Sequence, residues 1–183
     1  PRRHSSAASD VYKRQASEFS INRFSDRVGL VVYAGESYTK TPITSDKALV
    51  VDILSNISYD KVINDGTAIG MGLATSVNRL RQSKANGKVI ILLTDGVNNS
   101  GFVDPMTAAS LAKSLGIKVY TIGLGSNGSA PAPVAIKADG TFVYQLSKVE
   151  IDEELLKSIA NETGGSYYLS LIHISDPTRL SRI

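Results

Sequence analysis

Two short stretches of this 183-residue chain carry side chains placed where they could do chemistry. In KVIILLTDGVNNSG, Lys88 to Gly101, five aliphatic residues run into Thr94, Asp95 and Gly96, so a buried strand ends on a carboxylate. In NDGTAIGMG, Asn64 to Gly72, Thr67 stands at the start of a helical pattern among glycines that permit close backbone approach. Where a parallel sheet is covered by helices, ligands sit beyond the carboxyl ends of its strands, and Asp95 falls there. Each feature also has a plain structural reading. Asp-Gly is turn chemistry, and Thr is a competent helix N-cap.

The residue types that are scarce narrow the chemistry further. The chain has two histidines, His4 and His173, and no cysteine. Both histidines fall in terminal segments that look foreign to the rest. DVYKRQ, Asp10 to Gln15, can be written GAT GTG TAT AAG AGA CAG, and the reverse complement of that DNA encodes LSLIHI, Leu169 to Ile174. Two peptides that can be written as the two strands of one DNA segment, and that resemble translated transposase-type sequencing adapters, lead to the expectation that residues 1–15 and 169–183 are adapter-like additions. Residues 16–168 are then the expected natural segment, a single partial domain. Within it, imidazole bases, Ser-His-Asp triads, thiol nucleophiles and zinc sites with N or S ligands are excluded. Residues 1–15 carry net +3 and residues 169–183 net +1, against +3 for the whole chain, which leaves −1 for 16–168. The charge balance therefore makes no case for nucleic acid. The longest aliphatic run, Val89 to Leu93, falls far short of the ~20 residues a membrane span requires. The domain reads as soluble, with no direct membrane insertion by this segment.

The elements that must position Thr67 and Asp95 are short β-branched runs alternating with helical patterns. RVGLVVYA, Arg27 to Ala34, reads as a buried strand, and SYTKT, Ser37 to Thr41, as its hairpin partner at a sheet edge. Ser45 reads as the cap of a helix carrying Leu49, Val50, Ile53, Leu54 and Ile57. A second helix places Ile69, Leu73, Val77 and Leu80 on one face and ends near Asn86-Gly87. After the Val89 to Leu93 strand, Asp104-Pro105 opens a helix with Ala108, Leu111, Ala112 and Leu115 inward, stopped by Gly116. KVYTIGLG, Lys118 to Gly125, is another buried strand, followed by a Pro-rich loop and an extended TFVYQLS, Thr141 to Ser147. Asp152, Glu153 and Glu154 begin a last helix with Leu155, Leu156 and Ile159, closed by Gly164-Gly165 before a final strand at SYY. Aliphatic strands alternating with helices predict a mostly parallel sheet covered on both faces.

GTAIGMGLATSVNRL followed by VIILLTDGVNN resembles the von Willebrand factor A domain family, and the order of elements extends the resemblance over 16–168. More narrowly, DRVGLVVYAGESYTKTPITSD, the TDG segment, KVYTIGLG and EIDEELLKSIANETGGSYY look like the BatA-type proteins of bacterial aerotolerance operons. The resemblance implies a Rossmann-like three-layer α/β/α fold, its sheet mostly parallel with an antiparallel edge strand. It also implies a metal-ion-dependent adhesion site for Mg²⁺ or Mn²⁺, in which Thr67 matches the second-loop Thr and Asp95 the third-loop Asp. Hard oxygen ligands suit such a cation. The implied function is non-enzymatic: an open metal position accepts a carboxylate from a protein partner. By the same resemblance the parent is anchored in a bacterial cell membrane, in a complex with other such domains and a MoxR-type AAA+ ATPase. The family's first-loop Asp-x-Ser-x-Ser does not occur, and ASEFSINRFSD, Ala16 to Asp26, looks like the latter half of the first helix. The first, central strand and its metal ligands are therefore expected upstream. This chain as written is expected to bind Mg²⁺ weakly or not at all, and the strands around Val31 and Ile91 to lack ladder partners.

The alternative reading is a metal-dependent α/β hydrolase or phosphotransferase using Asp95, but Val97 stands where a second carboxylate would be. GLGSNG, Gly123 to Gly128, matches a dinucleotide fingerprint in letters only, because Pro131 and Pro133 follow where a helix must open. Asp152 to Glu154 read as first-turn helix charges, the scattered tyrosines as strand packing, and Asn98, Asn99 and Ser100 as a polar turn.

Overall fold

The structure is a computed structural model that describes residues 25–57, 66–124, 129–136, 142–148 and 151–170, with 129–136 and 142–148 as backbone. In chain order the elements are β1 (Val28–Tyr33), β2 (Ser37–Thr44), α1 (Lys47–Ser55), α2 (Ile69–Arg81), β3 (Lys88–Thr94), α3 (Pro105–Ser114), β4 (Ile117–Leu124), β5 (Ser129–Ile136), β6 (Phe142–Lys148), α4 (Glu153–Thr163) and β7 (Tyr167–Ser170). The segment Ala16 to Phe24, expected to be helical, lies outside the described residues.

Strands β3, β4 and β7 form a parallel sheet in that order, the arrangement that strands separated by helices must take. Strand β3 alternates: Ile90, Leu92 and Thr94 are buried, whereas Ile91 and Leu93 are half-buried and Val89 is exposed. On the buried face these residues meet Ile117 and Val119 of β4, Ile69, Leu73 and Val77 of α2, Ala108, Ala109 and Ala112 of α3, and Leu156 and Ile159 of α4. The period-2 pattern of the strands and the 3.6-residue pattern of the helices thus converge on one core. The alanines of α3 let that helix lie close between its neighbours. Buried Thr163 and Thr121 tie α4 to β4: the Thr163 hydroxyl accepts from Val119 N at 3.0 Å, and the Thr121 hydroxyl donates to Leu156 O at 2.9 Å.

Strands β1 and β2 form a separate antiparallel pair, with α1 against it. Among the described residues no strand lies between β1 and β3, and Leu30, Val31 and Val32 are only half-buried, where burial was expected from their sequence. Two features connect the pair to the main sheet. Helix α2 packs on both β1–β2 and β3, and the Tyr33 hydroxyl donates to Leu93 O at 2.7 Å. Tyr33 also packs against Gly72 of α2, where an added Cβ would stand 2.7 Å from the ring.

Several local expectations are corrected. Helix α1 is capped by Asp46, whose carboxylate accepts from Leu49 N at 3.0 Å, because Asp46 and not Ser45 is the last extended residue. Leu49 and Leu111 point outward, at 43% and 49% exposure, since the covered stripe of each short helix is narrower than its apolar pattern. Helix α2 ends at Arg81, ahead of the Asn86-Gly87 pair. The Pro-rich stretch is a strand, β5, that pairs antiparallel with β6 and with no other strand among the described residues. Proline is tolerated there because, among the described residues, β5 is an edge strand whose outer N–H groups have no ladder partner. Asp104 with Pro105, Asp152, and the left-handed Gly164 act as the stop and start signals that their types predict.

Candidate metal centre

Asp95 follows the last residue of β3 and is exposed at the carboxyl end of the parallel sheet. Immediately behind it, Thr94 folds the turn through its hydroxyl, which lies 3.3 Å from both Gly96 N and Gly96 O. The second loop arrives from α2. Its Thr67 hydroxyl comes so close to the turn that a Cβ on Gly96 would stand 3.0 Å from it. The fold therefore brings Thr67 against the turn that carries Asp95, and Gly96 is the residue that leaves room for the approach.

Thr67 is not the cap of α2. That position is Ala68, which offers no side chain, and the first N–H groups are met from across the gap. Asn98 Oδ1 accepts from Ile69 N at 2.8 Å, and Asn99 Oδ1 accepts from Thr67 N at 2.8 Å. In return Asn99 N donates to Thr67 O at 3.1 Å. Ser100 donates to the Asn99 amide oxygen at 2.9 Å and so orients it. Ala68 N donates to Ala34 O at 2.6 Å, which adds the end of β1 to the same cluster. Asn98, Asn99 and Ser100, read from the sequence as a polar turn, are the fasteners between the two loops. The sequence signal available for this was the pair of consecutive amides, Asn98 and Asn99, after the strand-end turn.

Tyr33 lies beneath the turn. Burial pushes its phenol well above the ordinary tyrosine range; contact with the Thr94 hydroxyl opposes this, and the negative charge of Asp95 adds to it. The phenol stays protonated at neutral pH and donates to Leu93 O, so it offers no general base.

The described residues hold no group of three or more His, Cys, Asp or Glu side chains that could grip a metal unaided. One carboxylate and one hydroxyl, both hard oxygens at a sheet edge open to water, fit part of an octahedral Mg²⁺ shell, which characteristically keeps several waters. Asp95 and Thr67 are suited to such an ion by the type of their oxygen donors, and two donors alone do not complete its shell.

With this geometry in place, likeness to known proteins is informative. Residues 6–171 match the von Willebrand factor type A domain. The chain belongs to that family. The domain is 35% identical over 151 residues to an uncharacterized protein of Borreliella burgdorferi, covering 82% of this chain and 43% of that protein. It thus spans under half the length of that relative. Among solved structures, an aerotolerance-related membrane protein from Bacteroides fragilis superposes with TM-score 0.74 at 29% identity, covering 88% of this chain and 80% of that one. BatB from Bacteroides thetaiotaomicron matches with the same score and identity, covering 88% and 79%. The von Willebrand domain therefore resembles aerotolerance-related membrane proteins, as the sequence text suggested. At 22% identity and TM-score 0.62, covering 94% of this chain and 38% of the other, the mussel byssus proximal thread matrix protein 1 shares the fold; its metal-ion-dependent adhesion motif holds zinc.

Proposed function

We propose that this domain is a metal-dependent protein-interaction module of a bacterial membrane-associated aerotolerance or stress complex, and not an enzyme. The observation that carries the reading is the union of two loops by Asn98 and Asn99, which sets the Thr67 hydroxyl against the Asp95 turn. Such a device positions oxygen donors rigidly. A bound Mg²⁺ or Mn²⁺ would supply a positive charge with an open coordination position suited to a partner's carboxylate. Thr67 and Asp95 would hold that ion from one side, and the upstream first loop from the other. The zinc-holding adhesion motif of the mussel protein and the membrane-protein names of the Bacteroides structures support the reading. Among the described residues no helix is long and apolar enough to cross a membrane. The test is calorimetric titration of Mg²⁺ into the full-length gene product and its Asp95→Ala variant: binding abolished by the substitution supports the proposal, and unchanged binding removes it.

A further inference from the structure

The charges of the domain are sorted to opposite edges of its sheet. Arg27 precedes β1, Arg81 ends α2, Lys84 stands in the connector that follows, and Lys88 and Lys118 stand at the starts of β3 and β4. The Arg27 guanidinium donates to Ser83 Oγ at 3.2 Å, which draws the start of β1 to the same amino edge. The carboxyl edge carries Asp95, the helix-capping Asp104 and Asp152, and Glu153 and Glu154 behind the second cap. Part of this sorting is helix electrostatics, since cations are favoured at a helix C-terminus and anions at its N-terminus. That accounts for Arg81, Asp104 and Asp152, but not for Lys84, Lys88 and Lys118, which lie outside the helices. Nor are these charges neutralised locally. Lys113 and Lys157 pair with Glu162 and Glu153 at 3.1 and 2.9 Å, whereas among the described residues Arg81, Lys84, Lys88 and Lys118 have no carboxylate partner. All but the half-buried Lys88 are exposed.

We propose that this amino edge is the face with which the domain rests on an anionic lipid surface, its cations set among the headgroup phosphates. The inference rests on the membrane-associated reading above and adds to it the face and the lipid chemistry. Near such a surface each basic side chain raises affinity roughly fivefold. The attraction reaches over about a Debye length, so cations on several elements act together without converging on a pocket. A protein interface, by contrast, draws most of its binding from a few desolvated anchors, aromatic side chains above all. The connector 82–87 offers none, its one apolar residue being Ala85. Lipid headgroups diffuse laterally and gather under a spread set of cations, which is the occupant this edge fits. The same surface repels the acidic carboxyl edge. Docking therefore has one orientation, with Thr67 and Asp95 turned away from the membrane.

The experiment uses the full-length protein assembled into nanodiscs of phosphatidylcholine alone or with phosphatidylglycerol added, and reads backbone hydrogen exchange by mass spectrometry. On the anionic discs residues 82–88 are expected to exchange severalfold more slowly than on the neutral ones, while the turn around Asp95 exchanges alike on both. The difference should vanish at about 0.5 M salt, where screening shortens the attraction to about 4 Å, and in the double variant Lys84→Gln with Lys118→Gln. Equal exchange on the two kinds of disc, or a difference that survives the double variant, overturns the docking and leaves the membrane-associated reading standing. Protection by an added polyglutamate peptide, with none by anionic lipid, assigns the edge to an acidic protein and overturns the docking as well. A full-length protein that associates with discs of neither composition overturns the docking together with the reading on which it rests.

Discussion

The hydroxyl of Tyr33, the last residue of β1, donates to the carbonyl of Leu93 in β3 at 2.7 Å, joining two sheets that share no backbone ladder among the described residues. The bond satisfies a strand carbonyl two residues before Asp95. Tyr33→Phe removes the donor and leaves the carbonyl without it. A loss of about 1–3 kcal/mol in urea unfolding is expected; unchanged stability would show that water replaces the phenol freely.

The same phenol sets a pH dependence. Its pKa is raised in the folded protein by burial first and by Asp95 after that, so the protonated form is favoured on folding. Its contribution is complete below about pH 10, the unfolded tyrosine value, and is lost as pH rises above it, because the unfolded chain then ionises while the folded one does not. Tyr167, pushed up to about 12 by burial and by the Glu153 charge, acts in the same direction. Chemical denaturation from pH 9 upward should therefore show falling stability above pH 10, with a shallower fall in Tyr33→Phe. A flat profile would contradict the assignment.

Asn98 caps a helix to which it does not belong. Replacing it with alanine leaves Ile69 N without its acceptor and should cost about 1 kcal/mol, measured as a lowered denaturation midpoint with an unchanged slope. Asn98→Asp keeps an acceptor at a helix N-terminus and should cost much less. Equal losses in the two variants would mean that the amide nitrogen, and not its oxygen, matters.

Gly70 faces the Val103 carbonyl at a distance that no Cβ can share. Gly70→Ala should destabilise by roughly 1–3 kcal/mol or more, because the obstacle is backbone that must shift. Gly87, with nothing within 4 Å of its added Cβ, is the control at which alanine should be tolerated. If both substitutions were tolerated alike, the packing of the Phe102 loop on α2 would be looser than described.

Much of this architecture was legible in the residues. The 3.6-residue spacing of Ile69, Leu73 and Val77, the aliphatic run before Asp95, and the signals at Asp104-Pro105, Asp152 and Gly164 are local, and local rules read them. Strand β5 was hidden because prolines usually break strands, and only its edge position tolerates them. The outward turn of Leu49 and Leu111 depends on how much of each helix its neighbours cover, which periodicity does not report. The site itself was half legible. Thr67 and Asp95 stood out by type and by neighbouring glycines, but the bonds that join their loops link residues 29 and 32 positions apart, and the Tyr33 bond spans 60. Such pairings exist only once α2 and β3 have packed.

The most direct measurement is Mg²⁺ titration of the full-length gene product as wild type and as Asp95→Asn, a substitution that keeps the shape of the turn and removes its charge. If Asp95 helps hold the ion, the wild type binds and the variant binds roughly tenfold or more weakly. Equal affinities, or no binding by the wild type, would contradict a metal centre at Thr67 and Asp95.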